Sequence, residues 1–288
     1  MLQLVLSGTA MGAIYALVAL GFVLLYNATN LINFAQGEIV ALGAYLCVFG
    51  AAALGLPYFG TLAAAIGAMA VLAPLLFALA YFPLRNRSLL AGVVGTIGIG
   101  ITLKNLFLVV AGPLPKTLPV FLGGGQVELG GASLPLQAVI VIAVAALVFA
   151  AHFFFTHHTF TGIRLRAAAQ DREMAQLVGV RVNAMMGIAF VASCVIATVA
   201  GFLVAPIVFV SPEMGLPLML KAFIAIVVGG FGSIPGALAG GLFVGVLDTM
   251  TAAYVSSTYR DVFTFLVFIL VITLRPTGFF GERVSLRV

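Results

Sequence analysis

The sequence predicts an all-α polytopic membrane protein, and its composition and its apolar runs both lead to that prediction. Hydrophobic residues make up 63% of the chain, only 7% of its residues are charged, and its mean hydropathy is +1.26. A soluble globular domain is nearer to a quarter charged, so no water-soluble fold would cover this much apolar surface. Apolar runs of membrane-spanning length recur along the chain. We therefore expect residues 1–288 to form one transmembrane helical domain.

Nine apolar runs are candidate membrane spans, since a span needs about 20 apolar residues. The run at 217–229 is too short to cross a bilayer comfortably alone and is predicted to be a broken or re-entrant helix. The expected number of spans is therefore eight or nine. The Gly- and Pro-rich stretch 112–134 is expected to be the longest outer loop. The runs lie near 3–26, 39–55, 61–82, 89–111, 135–156, 186–210, 217–229, 234–254 and 262–274.

The arginines set the expected orientation in the membrane. Nine arginines lie in loops or at span ends that can share one face of the membrane, and only Arg260 and Lys116 need to lie on the other face. This asymmetry matches the positive-inside rule, which places the loop at about 157–185 and the C-terminus in the cytoplasm and the N-terminus outside. The same distribution argues against nucleic acid as a partner, although the net charge is +5. The shared side would hold Arg85, Arg87, Arg164, Arg166, Arg172, Arg181, Arg275, Arg283 and Arg287.

A charged, alanine-rich segment interrupts the apolar pattern between residues 164 and 181. Residues 165–178 are mainly strong helix formers without Gly or Pro, and Gly179 suits a helix C-cap. Met174, Leu177 and Val178 fall on one helical face. We predict one short amphipathic helix in the cytoplasm, which would lie on the lipid surface or in the groove of a soluble partner; its residues favour neither. Its charged residues are Arg164, Arg166, Asp171, Arg172, Glu173 and Arg181.

A polar stretch, YNATNLINFAQGEI, follows the first apolar run. Asn27, Asn30, Asn33 and Gln36 recur every three residues in it and precede Glu38. At membrane depth these side chains would need a water-filled cavity and would line a solute path. In a cytoplasmic turn they would form an ordinary solvated loop, which the residues alone slightly favour.

Three ionisable residues lie within apolar runs, where charges are costly and usually face a partner or a cavity. One hypothesis pairs Lys221 with Asp248 across adjacent helices. The alternative is that each side chain lies near a span end and reaches water. The two interpretations are equally weighted for Lys221 and Asp248, whereas for Lys104 the second is favoured. Small residues at four-residue spacing are expected to pack helices closely. In the C-terminal part of the chain these are Gly232, Gly236 and Gly240.

Motifs for covalent or nucleotide chemistry are absent from the sequence. It contains no GxxxxGK[ST], HExxH or Gly-x-Ser-x-Gly. His152, His157 and His158 cluster as HFFFTHH with no carboxylate or cysteine nearby in sequence, so no metal site is predicted. Cys47 and Cys194 lie in apolar runs and are interpreted as small buried hydrophobes. We expect a protein that is not an enzyme and has no cofactor of its own.

Four collinear segments resemble the permease subunits of bacterial branched-chain amino acid ABC importers. The segments are GAIYALVALGFVLLYNATNLINFAQGEIVALGAYL, GIRLRAAAQDREMAQLVG, GLPLMLKAFIAIVVGGFGSIPGALAGGLFVGVLD and LRPTGFFG. Gln36 stands where relatives often carry His, Lys104 where they often carry Gln, and Asp248 where a Glu is usual. The first two differences alter pathway polarity and leave the solute open.

The resemblance implies a bacterial inner-membrane permease for branched-chain amino acids. Two cytoplasmic ATPase subunits would bind ATP, a second homologous permease would complete the pore, and a periplasmic solute-binding protein would deliver the solute. Closure of the ATPase dimer would push on the charged segment and switch the membrane helices between two states. The alternatives are a permease for another small solute such as an amide or urea, an autonomous ion-coupled secondary transporter, and a structural scaffold.

Roles for individual residues follow from the same resemblance. The solute path is expected to include Asn30, Asn33, Gln36 and Glu38, and the Lys221–Asp248 pair is expected to couple helices without touching solute. Coupling to the ATPase is expected from Arg164, Arg166, Asp171, Arg172, Glu173 and Gly179.

Overall fold

The computed structural model describes residues 1–85, 87–120, 125–129 and 132–281, and most of these residues are helical. The predicted all-α polytopic class is confirmed, with one short antiparallel hairpin added between the fourth and fifth helices. The elements in chain order are α1 (Leu2–Thr29), α2 (Gln36–Leu54), α3 (Tyr58–Leu76), α4 (Leu89–Ala111), β1 (Gln126–Leu129), β2 (Ala132–Pro135), α5 (Leu136–His158), α6 (Phe160–Gln170), α7 (Arg172–Leu177), α8 (Val182–Val204), α9 (Gly215–Gly229), α10 (Ile234–Tyr254) and α11 (Arg260–Leu274).

Seven helical segments in the described ranges are long and apolar enough to cross a membrane. They are α1, α2, α4, α5, α8, α10 and the continuous stretch Tyr58–Leu84, in which α3 continues through a π turn and a 3₁₀ turn. The short run predicted near 217–229 is α9, a shorter apolar helix of 15 residues. Its length of about 22 Å is less than the roughly 30 Å of a bilayer's hydrocarbon core.

The chain divides into two compact units. One unit comprises Met1–Val23, Val120–Ala145 and Leu220–Val288, and the other comprises Leu24–Pro119 and Ala146–Met219. We call them the terminal unit and the central unit. Part of the 112–134 stretch, together with Arg283 and Arg287, lies outside the described residues.

Backbone contact through small residues holds the central unit together. A Cβ added to Gly43 of α2 would lie 2.5 Å from the Cα of Thr198 in α8, and Gly201 of α8 faces the backbone of Val40 and Ala44. Because larger side chains would keep the two helices apart, these positions set how closely α2 and α8 pack.

Glycines also bring helices together in the terminal unit. Gly236 and Gly240 of α10 lie against the backbone of Gly229 and Ala225 in α9, as expected for close helix packing. Gly232 lies outside α10, in the turn before that helix, with a φ of 84° that suits glycine, and its role in packing stays a prediction. The four-residue spacing of these glycines therefore begins one step before the start of α10.

Replacement of Gly240 by alanine should destabilise the protein by about 1–3 kcal/mol, since the new methyl group would meet the carbonyl of Ala225. Gly98→Ala is the matched control, because a Cβ there meets nothing within 4 Å. That change should be neutral or stabilising by up to about 1 kcal/mol through helix propensity. Unfolding titrations of the detergent-solubilised protein measure both, and equal effects would contradict the packing argument.

Candidate functional site

The charged segment forms two helices, α6 and α7, and not the single helix predicted over residues 165–178. Asp171 lies between them with extended backbone angles, φ −152° and ψ 110°. Its Oδ1 accepts a hydrogen bond of 3.0 Å from the backbone N–H of Met174, which caps the N-terminus of α7. The single-helix prediction was wrong because aspartate is a strong N-cap and a weak residue in a helix interior.

Gly179 ends α7, as predicted. Its φ is 85°, and its N–H donates to the carbonyl of Gln176 at 3.0 Å. The N–H of Val180 donates to the carbonyl of Ala175 at 2.9 Å, which completes a Schellman motif. A glycine is favoured here because it adopts the left-handed conformation without steric cost.

The inner face of the charged segment is packed on the rest of the central unit. Leu165, Ala168 and Ala175 are buried in a cluster with residues of α8, including Val182 and Met185. These contacts fix the segment on the N-terminal end of α8.

Arg172 also points inward, since its Nη2 donates 3.0 Å to the carbonyl of Ala28 in the last turn of α1. Partial burial lowers the pKa of the guanidinium from its ordinary value, but arginine remains charged. A cation at the C-terminus of a helix is favourable because it faces the negative end of the helix dipole. Arg172 therefore holds the segment against α1.

The outer face of the segment combines exposed apolar and charged side chains. Met174, Leu177 and Val178 are 61%, 81% and 78% exposed. Arg164, Arg166 and Glu173 are exposed as well. A groove beside this face is lined by Gln176, Gly179, Val180, Arg181, Val182, Asn183 and Ala184. Apolar side chains with charged neighbours suit a docking surface better than a solvated loop.

A second group of polar residues is buried in the central unit. Asn33, Gln36 and Glu38 are all buried, so the solvated-loop interpretation is wrong for these three residues. Asn30 is exposed at the end of α1, with a φ of 53°, and the structure does not bring it together with them. Asparagine tolerates this backbone conformation better than most residues.

Hydrogen bonds connect these buried groups into what we call the polar junction, formed by Asn33, Gln36, Tyr81 and Ser193. The Tyr81 hydroxyl donates to Asn33 Oδ1, and Asn33 Nδ2 donates to Gln36 Oε1 at 3.1 Å. The Ser193 hydroxyl donates to the same Gln36 oxygen at 3.3 Å. Gln36 Nε2 is buried and has no hydrogen-bond partner among the described residues.

Glu38 lies beside the polar junction, on the third residue of α2. Its carboxylate contacts Gly215, the first residue of α9, where an added Cβ would lie 2.6 Å from Oε1. Lys104 and Glu213 form an ion pair of 2.7 Å whose charges are near enough to act on Glu38. The Lys104 side chain is therefore partly exposed and paired.

The terminal unit contains a cluster of charges around the buried residues Lys221 and Asp248. Lys221 Nζ lies 2.9 Å from both carboxylate oxygens of Asp248, so the hypothesised contact is present. The alternative, in which each side chain extends separately to water, is wrong. Two residues at the start of α11 join the cluster: Arg260 lies 3.4 Å from Asp248, and Asp261 lies 3.1 Å from Lys221. The Tyr15 hydroxyl donates 3.2 Å to Asp248 Oδ2. The cluster links α1, α9, α10 and α11, and its role in coupling these helices stays a prediction.

Known proteins resemble this chain over nearly its full length. The family model described as the permease component of branched-chain amino acid transport systems matches residues 4–272. The chain belongs to this permease family. It is 34% identical over 98% of its length to the high-affinity branched-chain amino acid transport system permease protein LivH of Escherichia coli K12, covering 96% of that protein. The permease protein BraD of Pseudomonas aeruginosa is 32% identical over the same shares of the two chains.

Several residues that shape the two sites of this permease were not singled out from its sequence. Tyr81 and Ser193 complete the polar junction, and Tyr15 and Asp261 complete the charge cluster. A hydroxyl group within an apolar run was the available signal for Tyr81 and Ser193. Within the described residues, no group of three or more His, Cys, Asp or Glu side chains could hold a metal ion.

Breaking the Lys221–Asp248 pair of the permease should be costly. Lys221→Ala leaves the buried carboxylate of Asp248 with Arg260 at 3.4 Å, and Asp248→Ala leaves Lys221 with Asp261 at 3.1 Å. Each change should therefore destabilise the protein by at most about 3–5 kcal/mol, the amount that loss of a buried partner typically costs. The double variant should be less destabilised than the sum of the singles by about 1–3 kcal/mol, as measured by unfolding titrations.

The exposed pair Lys104–Glu213 provides the matched control for this cycle. Its side chains are 37% and 73% exposed, so its coupling energy should not exceed about 1 kcal/mol. Additive effects at Lys221 and Asp248 would show that the buried contact does not couple the helices.

Proposed function

We propose that this chain is a membrane-spanning permease subunit of an ATP-driven importer that moves branched-chain amino acids across the bacterial inner membrane. The observation that carries the proposal is the family match over residues 4–272, together with relatives whose names specify branched-chain amino acid transport. The buried polar junction supports it, because polar groups at the depth of a span are expensive and usually serve a function.

The same proposal assigns the partners. Two cytoplasmic ATPase subunits bind and hydrolyse ATP, a second homologous permease completes the pore, and a periplasmic binding protein supplies the solute. This chain then has no cofactor and no catalytic residue, in line with the missing P-loop sequence. The outer face of the charged segment is the proposed ATPase contact, with Arg164, Arg166 and Glu173 around the exposed apolar residues.

The proposed topology has nine crossings, with the N-terminus outside and the C-terminus in the cytoplasm. The terminal unit supports it at both faces. The Tyr254 hydroxyl lies 2.7 Å from Met1 Sδ, so the end of α10 adjoins the start of α1. The N–H groups of Phe279 and Phe280, after α11, donate to the carbonyls of Val228 and Gly229 at the end of α9. Alternating crossings would bring each of these two pairs of helix ends to the same face of the membrane, in agreement with both contacts.

Force from the ATPases would enter the membrane helices through α1 and α8. The charged segment is joined to α1 by Arg172 and to the start of α8 by Leu165, Ala168 and Ala175. Farther along α8, Ser193 donates to Gln36 in the polar junction. A tilt of α8 would therefore change the contacts of Gln36, which is how nucleotide binding would bias a two-state element.

Reconstitution in liposomes tests this function. The chain should support leucine uptake only with its co-purifying permease and ATPases, the binding protein outside and ATP inside. Competition by unlabelled amides or urea separates the alternative solutes. Ion-driven uptake by the chain alone would instead establish a secondary transporter.

A charge placed on the outer face of the charged segment should uncouple the importer. Leu177→Asp introduces a carboxylate where the side chain is 81% exposed, so folding should be preserved. We expect uptake to fall by about tenfold or more if this side chain is a buried anchor of the ATPase interface. Two quantities are measured: the number of ATP molecules hydrolysed per leucine transported, and the amount of ATPase subunit that co-purifies with the permease.

Thr258→Asp is the control for this variant, since Thr258 is exposed in the loop between α10 and α11, on the side expected to face away from the ATPases. It adds the same charge and should transport at the rate of the unsubstituted importer. Normal uptake by Leu177→Asp would show that the ATPase docks elsewhere.

A further inference from the structure

Two interrupted helices begin at the same place in the central unit. α2 begins at Gln36 after the non-helical residues 30–35, and α9 begins at Gly215 after the irregular residues 209–214. A Cβ on Gly37 would collide with the carbonyl of Gly215, so the two helix starts are in backbone contact. Helix N-termini that meet within a membrane protein form a polar centre, because each carries a partial positive charge.

This meeting point lies midway along two of the long helices. Gly100, at the midpoint of the 23-residue α4, adjoins Glu38, since a Cβ added to it would lie 3.6 Å from Glu38 Cγ. Ser193, at the midpoint of the 23-residue α8, donates to Gln36. Helices of this length just span a bilayer, so the meeting point is at mid-membrane depth.

Glu38 places a carboxylate between the two helix starts. It is the third residue of α2, and its two oxygens lie against Gly215, the first residue of α9. The positive ends of both helices face this carboxylate and offset part of the cost of burying its charge.

The surroundings of this carboxylate are incomplete. Glu38 is only 7% exposed, and its Oε2 has no hydrogen-bond partner among the described residues. Buried carboxylate oxygens are normally hydrogen bonded, because leaving one without a donor is costly. The neighbouring cation, Lys104, is already paired with Glu213. The chemistry that completes the site is a cationic hydrogen-bond donor.

We propose that Glu38, between the starts of α2 and α9, binds the ammonium group of the amino acid solute at mid-membrane depth. This inference rests on the proposed function. A branched-chain amino acid has one cation, its ammonium group, and Glu38 Oε2 is a free acceptor for it. The negative charge of Glu38 disfavours the solute carboxylate at the same position. A free monovalent cation shares the required charge, and the experiment distinguishes it from the solute.

The first measurement is uptake by the complete importer in liposomes. Glu38→Gln preserves the shape of the side chain and removes the charge, so kcat/KM for leucine should fall by about tenfold or more through loss of a charge-assisted hydrogen bond. ATP hydrolysis stimulated by the loaded binding protein should persist. Glu128→Gln, which removes an exposed carboxylate of β1 away from this site, should transport within about twofold of the unsubstituted importer.

The second measurement is thermal unfolding of the purified permease–ATPase complex without binding protein. Leucine and isoamylamine, which has the ammonium group but no carboxylate, should raise the Tm of the unsubstituted complex, because ligands that bind the folded state stabilise it. 4-Methylpentanoate, which lacks the ammonium group, should not. Glu38→Gln should abolish both shifts. If it does not assemble, Glu38→Asp, which retracts the carboxylate by one methylene, should reduce them.

Three outcomes would overturn the assignment. The first is unchanged leucine uptake by Glu38→Gln. The second is an equal rise in Tm with isoamylamine and with 4-methylpentanoate. The third is a rise in Tm when sodium replaces choline at constant ionic strength, with no rise on addition of isoamylamine. The last outcome would assign Glu38 to a free cation. Failure of the proposed function is separate, since the unsubstituted importer would then show no ATP-dependent leucine uptake.

Discussion

Within a bilayer, a helix can be interrupted only where protein or a wet cavity covers the free backbone groups, and this constraint shapes the central unit. The break before α2 is covered by α4, where the N–H of Phe34 donates to Thr96 Oγ1 at 3.2 Å. Gly37 and Gly215 lack side chains, so the two helix starts can approach until their backbones touch. Small residues and one threonine thus make it possible to place a polar centre among apolar helices.

Two distant regions of the central unit are joined by a single helix. α8 carries the packing surface of the charged segment at its start and a hydrogen bond to the polar junction at its midpoint. Its close contact with α2 through Gly43 and Gly201 leaves little room for independent motion of the two helices. Movement at the segment would therefore reach Gln36 and Glu38 as a rigid displacement.

The spans were predictable because their signal is local, whereas the sites depend on contacts between distant parts of the chain. Length and hydropathy located every long helix, and glycine after a run of helix formers located the end of α7. The break at Asp171 was missed because a capping aspartate competes with the helix-forming tendency of its neighbours. The contact between Tyr15 and Asp248 joins residues 233 positions apart, which no periodicity indicates.

The inner and outer faces of the charged segment differ in what they contact. Its inner residues and Arg172 anchor the segment, whereas Leu177 and Val178 make no contribution to the buried core. The outer surface is thus free to vary without loss of the fold. Under the proposed function, exchange of a few exposed side chains would redirect the permease to a different ATPase subunit, while the membrane-spanning helices stay unchanged.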